Sequence, residues 1–266
     1  MKSFPDLYLA VASASCYVVS ILLLGLDTIF SRTSWKRLWL ILICIGFAVH
    51  TAALASRSIF ARAVPWTDLF EYTLFMSWAI VLAYLLFFRK HLPRAGSVVV
   101  LAVVFLMLGA SFFYYSPPGG GMMPALRSYW LYIHVSLAAL GETFFAIAFV
   151  ASIIYLARRT GGDTASLATL DDLAYKAVSM GFPLFTAGAL VAGAIWAKQA
   201  WGAYWSWDPK EVLSLVVWLV YAAYLHARLV RNLRGRVAAA ISIAGFLLTL
   251  FTIFSTLIFG GLHAYG

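Results

Sequence analysis

The chain has 266 residues, 64% of them hydrophobic and 11% charged, with a formal net charge of +9. So apolar a composition excludes an ordinary soluble domain and places the chain in a lipid bilayer. The positive charge collects in short turns between apolar runs, where it is a topology signal and calls for no nucleic-acid partner.

Apolar runs long enough to cross about 30 Å of hydrocarbon recur at residues 7–30, 38–55, 69–88, 98–115, 129–157, 177–200, 212–230 and 237–259. The expected fold is therefore all-α: one polytopic membrane domain over residues 1–266, with eight spans. Thirteen of the 19 Lys and Arg fall in the turns 32–37, 89–94, 158–176 and 228–236. With those turns cytoplasmic, both termini and the loop before the seventh span lie outside. The first run is too long for a signal-peptide core and is expected to stay as a helix. Cys16 and Cys44 sit inside spans without CxxC spacing and form neither a disulfide framework nor a redox pair.

His50 lies near the outer end of the second span, where a functional role and a hydrogen bond to a neighbouring helix are both open. An outer turn follows with Arg57, Arg62, Pro65, Asp68 and Glu71. Glu71 at a helix start complements the positive end of the helix dipole. The fourth span is uncharged, and SPPGGGMMP after it reads as a connector, with a lid or partner contact as the other role. It precedes no capped helix, so it is not a phosphate loop.

The fifth span opens with SYWLYIH, which puts His134 within about two turns of the outer surface. Glu142, eight residues on, shares that helical face and sits deeper, where a carboxylate requires a partner. A buried group such as His50 and a cation on a bound ligand are both candidates. The turn 158–176, with Gly161, Gly162, Asp171 and Asp172, reads as a solvated linker.

The sixth span leads into WGAYWSWDPKE at 201–211. On one helical turn, Trp201, Tyr204 and Trp205 would share a face. Asp208-Pro209-Lys210-Glu211 is a helix start, with an acidic cap, Pro at the first position and Glu three after the cap. An interfacial aromatic belt is the plain alternative, but belts place their aromatics singly. The seventh span carries His226 about 25 Å beyond Pro209, near the cytoplasmic face. After the last span, FGGLH returns His263 to the outer side.

His134 and His263 are thus expected on the same face as the tryptophan loop. A planar apolar ligand with a central metal takes axial ligands from both sides, and neutral imidazole is a common one. Their nitrogens must then approach to about 4 Å, twice a metal–imidazole bond. Tryptophans would cover the exposed edge of the macrocycle.

WGAYWSWDPKEVLSLVVWLVYAAYLHAR resembles the tryptophan-rich motif of the cytochrome c assembly family. The WDPKE and YLHAR elements resemble its CcsA/ResC-type members, the haem-handling subunits of system II cytochrome c biogenesis. WLYIHVS, the terminal GLHAY and PWTDLFEYTLFMSW extend the resemblance from about residue 57 to the end. It implies that His134 and His263 are axial haem ligands, that Trp201, Trp205, Trp207 and Asp208 belong to the haem-holding loop, and that His226 marks a second haem site nearer the cytoplasm. His50 is a further haem-site residue, although it sits closer to the outer face than a partner of His226 should. The implied cargo is haem b, taken as substrate. The implied partners are a second membrane subunit with a large outer domain and an apocytochrome c, within a cytochrome c synthase (haem lyase) complex.

No residue is an evident catalytic acid or base. A bacterial cytoplasmic membrane is expected from the excess of Arg over Lys and the abundant Ala, with the thylakoid as the alternative. A haem b electron-transfer subunit and a haem transporter without attachment activity are the rival functions. The first normally buries its haem within the spans, and the second calls for inverted repeats and broken helices.

Overall fold

The computed structural model describes residues 4–30, 38–118, 126–158 and 164–264. The cationic turn 32–37, the glycines 119–121 and the Gly161-Gly162 pair lie outside the described residues. Eight helices are long and apolar enough to cross a membrane, and no strand occurs among the described residues. The chain divides into two compact units, Met1–Gly121 and Met122–Gly266.

The first unit holds α1 (Pro5–Phe30), α2 (Leu38–Ala61), α3 (Leu69–Ala83, continued by a π-helical turn Tyr84–Phe88) and α4 (Arg94–Phe112). Helix α2 runs one and a half turns past the expected end, so Arg57 lies inside a helix rather than in an outer turn. Its side chain is 2% exposed. It donates to Glu71 at 2.8 Å, to Asp6 at 3.2 Å, to Asp68 at 3.2 Å and to the Ser116 carbonyl at 2.6 Å. One guanidinium thereby ties α1, α2, the start of α3 and the segment after α4, which is the geometry a five-donor fork suits. Asp68 also caps α3 by accepting from the Glu71 N–H. Burial, followed by the nearby Glu71, raises its carboxyl above the ordinary range. Glu71 is thus a member of an ion network, a role beyond dipole complementation.

The second unit is built on α5 (Tyr129–Arg158), which is buried along most of its length. Around it run α6 (Thr164–Phe185), a π-helical stretch Thr186–Ala192, α7 (Gly193–Trp201), α8 (Pro209–Arg231), α9 (Arg236–Phe254) and the short α10 (Thr256–Phe259). With no hydrophobic drive between helices in lipid, close approach depends on small residues. A Cβ on Gly141 would lie 2.7 Å from the Phe185 nitrogen, and one on Gly181 would lie 2.7 Å from the Gly141 oxygen. Helix α8 packs through Val217, Tyr221, Tyr224 and Arg228, an i, i+4, i+7, i+11 stripe. Tyr221 stacks on Phe145 with centroids 3.7 Å apart and occupies the space left by Gly245.

The segment expected as solvated linker is helical from Thr164. Its Asp171 accepts from Arg228 at 2.6 Å and from the Gly235 N–H at 2.9 Å. Asp171 thus ties the end of α8 and the start of α9 to α6, and that explains why polar residues here do not signal a loop.

Candidate functional site

The second unit brings one end of α5, α7, the start of α8 and the tail after α10 together. Helix α7 stops at Trp201 because Gly202 adopts a left-handed conformation (φ 87°) and its N–H returns to the Lys198 carbonyl. Trp201, Tyr204 and Trp205 therefore do not share one helical turn, contrary to the spacing argument. Trp207 also has a positive φ of 61°. It stands 72% exposed and edge-on to Trp205 at 5.8 Å, whereas Trp201 turns inward.

The expected helix start forms as a capping box. The Asp208 carboxylate accepts from the Lys210 N–H at 3.1 Å, and Glu211 reaches back to the Asp208 N–H at 3.2 Å. Glu211 also accepts from the Ser206 N–H at 2.8 Å, which fixes the loop ahead of the helix.

Asp208 has a second task. Beyond α10, Gly260 (φ 64°) and Gly261 (φ 104°) turn the chain back over the cap, and a Cβ on Gly261 would collide with the Asp208 Oδ1. The Leu262 N–H then donates to Oδ1 at 2.6 Å, and His263 Nδ1 donates to Oδ2 at 2.9 Å. Burial raises the Asp208 carboxyl, but the hydrogen bonds from His263, Leu262 and Lys210 outweigh it and hold the group below the usual carboxylate range. Burial pushes the His263 imidazole below its ordinary range in spite of Asp208. The pair is a carboxylate and a neutral imidazole whose Nε2 keeps its lone pair.

His134 reaches the same place from the second turn of α5. Its Nδ1 donates to the Gly188 carbonyl at 2.9 Å, inside the π-helical stretch. Only glycine fits there, because a Cβ on Gly188 would overlap the backbone of Ala138 and Leu137. A carbonyl accepts only, so His134 also presents a bare Nε2. Wider helical turns of this kind recur at functional sites.

Trp196, 1% exposed, joins the two histidines. It stacks on His134 (5.6 Å, 10°), meets His263 edge-on (5.5 Å) and meets Trp201 edge-on (4.8 Å), while Trp201 meets His263 at 5.2 Å. Lys210 lies within electrostatic reach of both histidines, of Asp208 and of Glu142. The Trp201 Nε1–H is buried without a hydrogen-bond partner among the described residues.

Sequence reasoning missed Trp196 and Lys210. Trp196 stands one and a half turns before Trp201, a spacing that assigns no face. Lys210 reads as part of a cap.

Of the remaining candidates, His50 belongs to the first unit, and Glu142 and His226 to the second. Both ring nitrogens of His50 are engaged, Nε2 donating to the Leu74 carbonyl at 3.0 Å and Nδ1 facing the Tyr17 hydroxyl at 3.3 Å. Glu142 lies within electrostatic reach of Lys210 and of Tyr221. His226 stands on α8 half a turn around from the packed stripe of Val217, Tyr221, Tyr224 and Arg228.

The model of the cytochrome c assembly protein family matches residues 66–263, which includes every element of this site. The chain belongs to the cytochrome c assembly protein family. It is similar to the cytochrome c biogenesis protein CcsA of Guillardia theta, 34% identical over 85% of this chain and 83% of that protein. The CcsA of Microcystis aeruginosa is 32% identical over 81% of this chain and 83% of its own length. Among solved structures, the cytochrome c haem lyase CcmF superposes with a TM-score of 0.71 at 21% identity. That likeness concerns the fold; it covers 95% of this chain, which spans about half of the CcmF chain (48%).

Proposed function

We propose that this member of the cytochrome c assembly family takes haem b as substrate on the outer membrane face and presents it for covalent attachment to apocytochrome c by the system II route. The observation that carries the reading is the pair of bare imidazole nitrogens. His134 and His263 reach one aromatic cluster from separate elements, and each is fixed with its proton on Nδ1. That is the donor set a bis-imidazole haem needs.

The surroundings support the same ligand. Trp196 backs both imidazoles from within, and Trp201, Trp205 and Trp207 offer apolar ring area to the macrocycle. The orphaned Trp201 Nε1–H calls for an acceptor, since an unmade bond there costs about 1–3 kcal/mol. A haem carboxylate is one.

Attachment adds each apocytochrome S–H across a haem vinyl bond, the sulfur going to one carbon and the proton to the other, with no leaving group. The chain's own residues position the substrate and govern access to iron, so it acts as a subunit of a cytochrome c synthase. A second membrane subunit with a large outer domain completes the machine. His226, turned away from the packing stripe of α8, serves a second haem site whose other ligand comes from outside this stripe. His50 contributes by setting the packing of α2 on α3. The membrane is the bacterial cytoplasmic membrane, and both termini face outward.

Co-expression of the chain with its second subunit and an apocytochrome, in a bacterium without its own pathway, tests this. Covalent haem should appear on the cytochrome. His134→Gly and His263→Gly should abolish it at unchanged membrane abundance. Wild-type yields from both variants would sink the reading.

A further inference from the structure

The two imidazoles are held by different acceptors. His263 Nδ1 donates to a carboxylate, Asp208 Oδ2, at 2.9 Å, whereas His134 Nδ1 donates to a neutral carbonyl, Gly188 O, also at 2.9 Å. Bonds to an ionised acceptor are roughly twice as strong as neutral ones. They also leave more electron density on the far nitrogen and raise the basicity of the ligand.

Competing bonds do not remove the contrast. Asp208 also accepts from the Leu262 and Lys210 N–H groups at a helix N-terminus, which draws charge from it. The Gly188 carbonyl is likewise shared, since the Gly193 N–H returns to it. Each acceptor is divided, and only one carries a full charge.

Resting on the proposed haem function, we infer that the two axial ligands are unequal: His263, backed by Asp208, is retained on iron, and His134 yields its place to the histidine of the apocytochrome's CxxCH segment, the attachment motif for c-type haem. The exchange breaks one iron–nitrogen bond and forms another. It leaves the iron oxidation state and the proton inventory unchanged. Chain flexibility alone would favour the opposite order, because His263 follows a Gly-Gly turn and His134 sits on a 30-residue helix. Against that flexibility, Asp208 holds the His263 ring through Nδ1 and anchors the turn through the Leu262 N–H, so the imidazole stays aimed at iron. Asp208 is on this account a positioning and tuning residue.

Resonance Raman spectroscopy of the haem-loaded, reduced single-ligand variants separates the orders. His134→Gly leaves His263 on iron and should show the higher iron–histidine stretching frequency. His263→Gly leaves His134 and should show the lower one. Adding Asp208→Asn should lower the frequency and weaken haem binding about 10–100-fold in the His134→Gly background. In the His263→Gly background it should change neither. Equal frequencies, or equal effects of Asp208→Asn in both backgrounds, overturn the inference.

The wild-type protein supplies a second reading that needs neither glycine variant. CO on the reduced iron displaces the weaker ligand and leaves the stronger one trans to it. The C–O stretch should shift with Asp208→Asn, and no shift overturns the inference. A wild-type protein without low-spin haem would instead refute the haem function itself.

Discussion

Gly188→Ala probes the contact on which the His134 geometry depends. A Cβ there would lie 2.6 Å from the Leu137 carbonyl carbon and Cβ, where ordinary Cβ contacts begin near 3.4 Å. Helix α5 must therefore retreat by on the order of 1 Å, and neighbouring backbone, unlike a flexible side chain, cannot simply turn aside. The His134–Gly188 bond, now 2.9 Å, then stretches beyond hydrogen-bond range. Overpacking costs about 1–3 kcal/mol and the lost bond about 1 kcal/mol, so roughly 2–4 kcal/mol in all. Gly193→Ala is a milder version, because its Cβ would press on the His134 ring itself at 3.0–3.1 Å. It should alter the haem spectrum with little loss of stability. Gly109→Ala in α4 is the control, with nothing within 4 Å of the new methyl and an expected gain of about 0.4–1 kcal/mol. Thermal unfolding in detergent, followed together with the haem spectrum, reads all three. If Gly188→Ala matches Gly109→Ala in both, the π-helical stretch does not position His134.

Arg57→Met leaves three carboxylates facing one another and should destabilise the first unit by about 3–5 kcal/mol; thermal melts should show this against the exposed Arg62→Met, and equal melts would contradict it. Trp201→Ala should lower haem occupancy and widen the space beside His263, whereas Trp207→Ala, at an exposed ring, should reduce occupancy without changing stability; identical profiles for the two would return the loop to a plain interfacial belt. Cysteine labelling should reach position 203 from outside and position 235 from inside, and labelling of both from one side would end the proposed topology.

The fold class and the span count were legible because membrane helices announce themselves by length and apolarity. The cap at Asp208 was legible from local chemistry, and the convergence of His134 and His263 from their place relative to the spans. What could not be read was tertiary. Asp171 and Asp172 look like linker residues until Arg228 and Gly235 are seen folding back on Asp171. Glu71 looks like a dipole partner until Arg57 arrives from another helix. The turn that ends α7 depends on Gly202, and a helical-face argument drawn through a glycine could not detect it. Trp196 and the second task of Asp208 are contacts between segments 54 to 67 residues apart in sequence, beyond the reach of spacing rules.

The absorption spectrum of the purified, haem-loaded protein, oxidised and reduced, tests the paired-imidazole site most directly. Wild type should show six-coordinate low-spin haem. His134→Gly and His263→Gly should each lose it, and free imidazole should restore it by filling the space left at iron. A wild-type spectrum in both variants, with no response to imidazole, would show that these histidines do not bind haem iron.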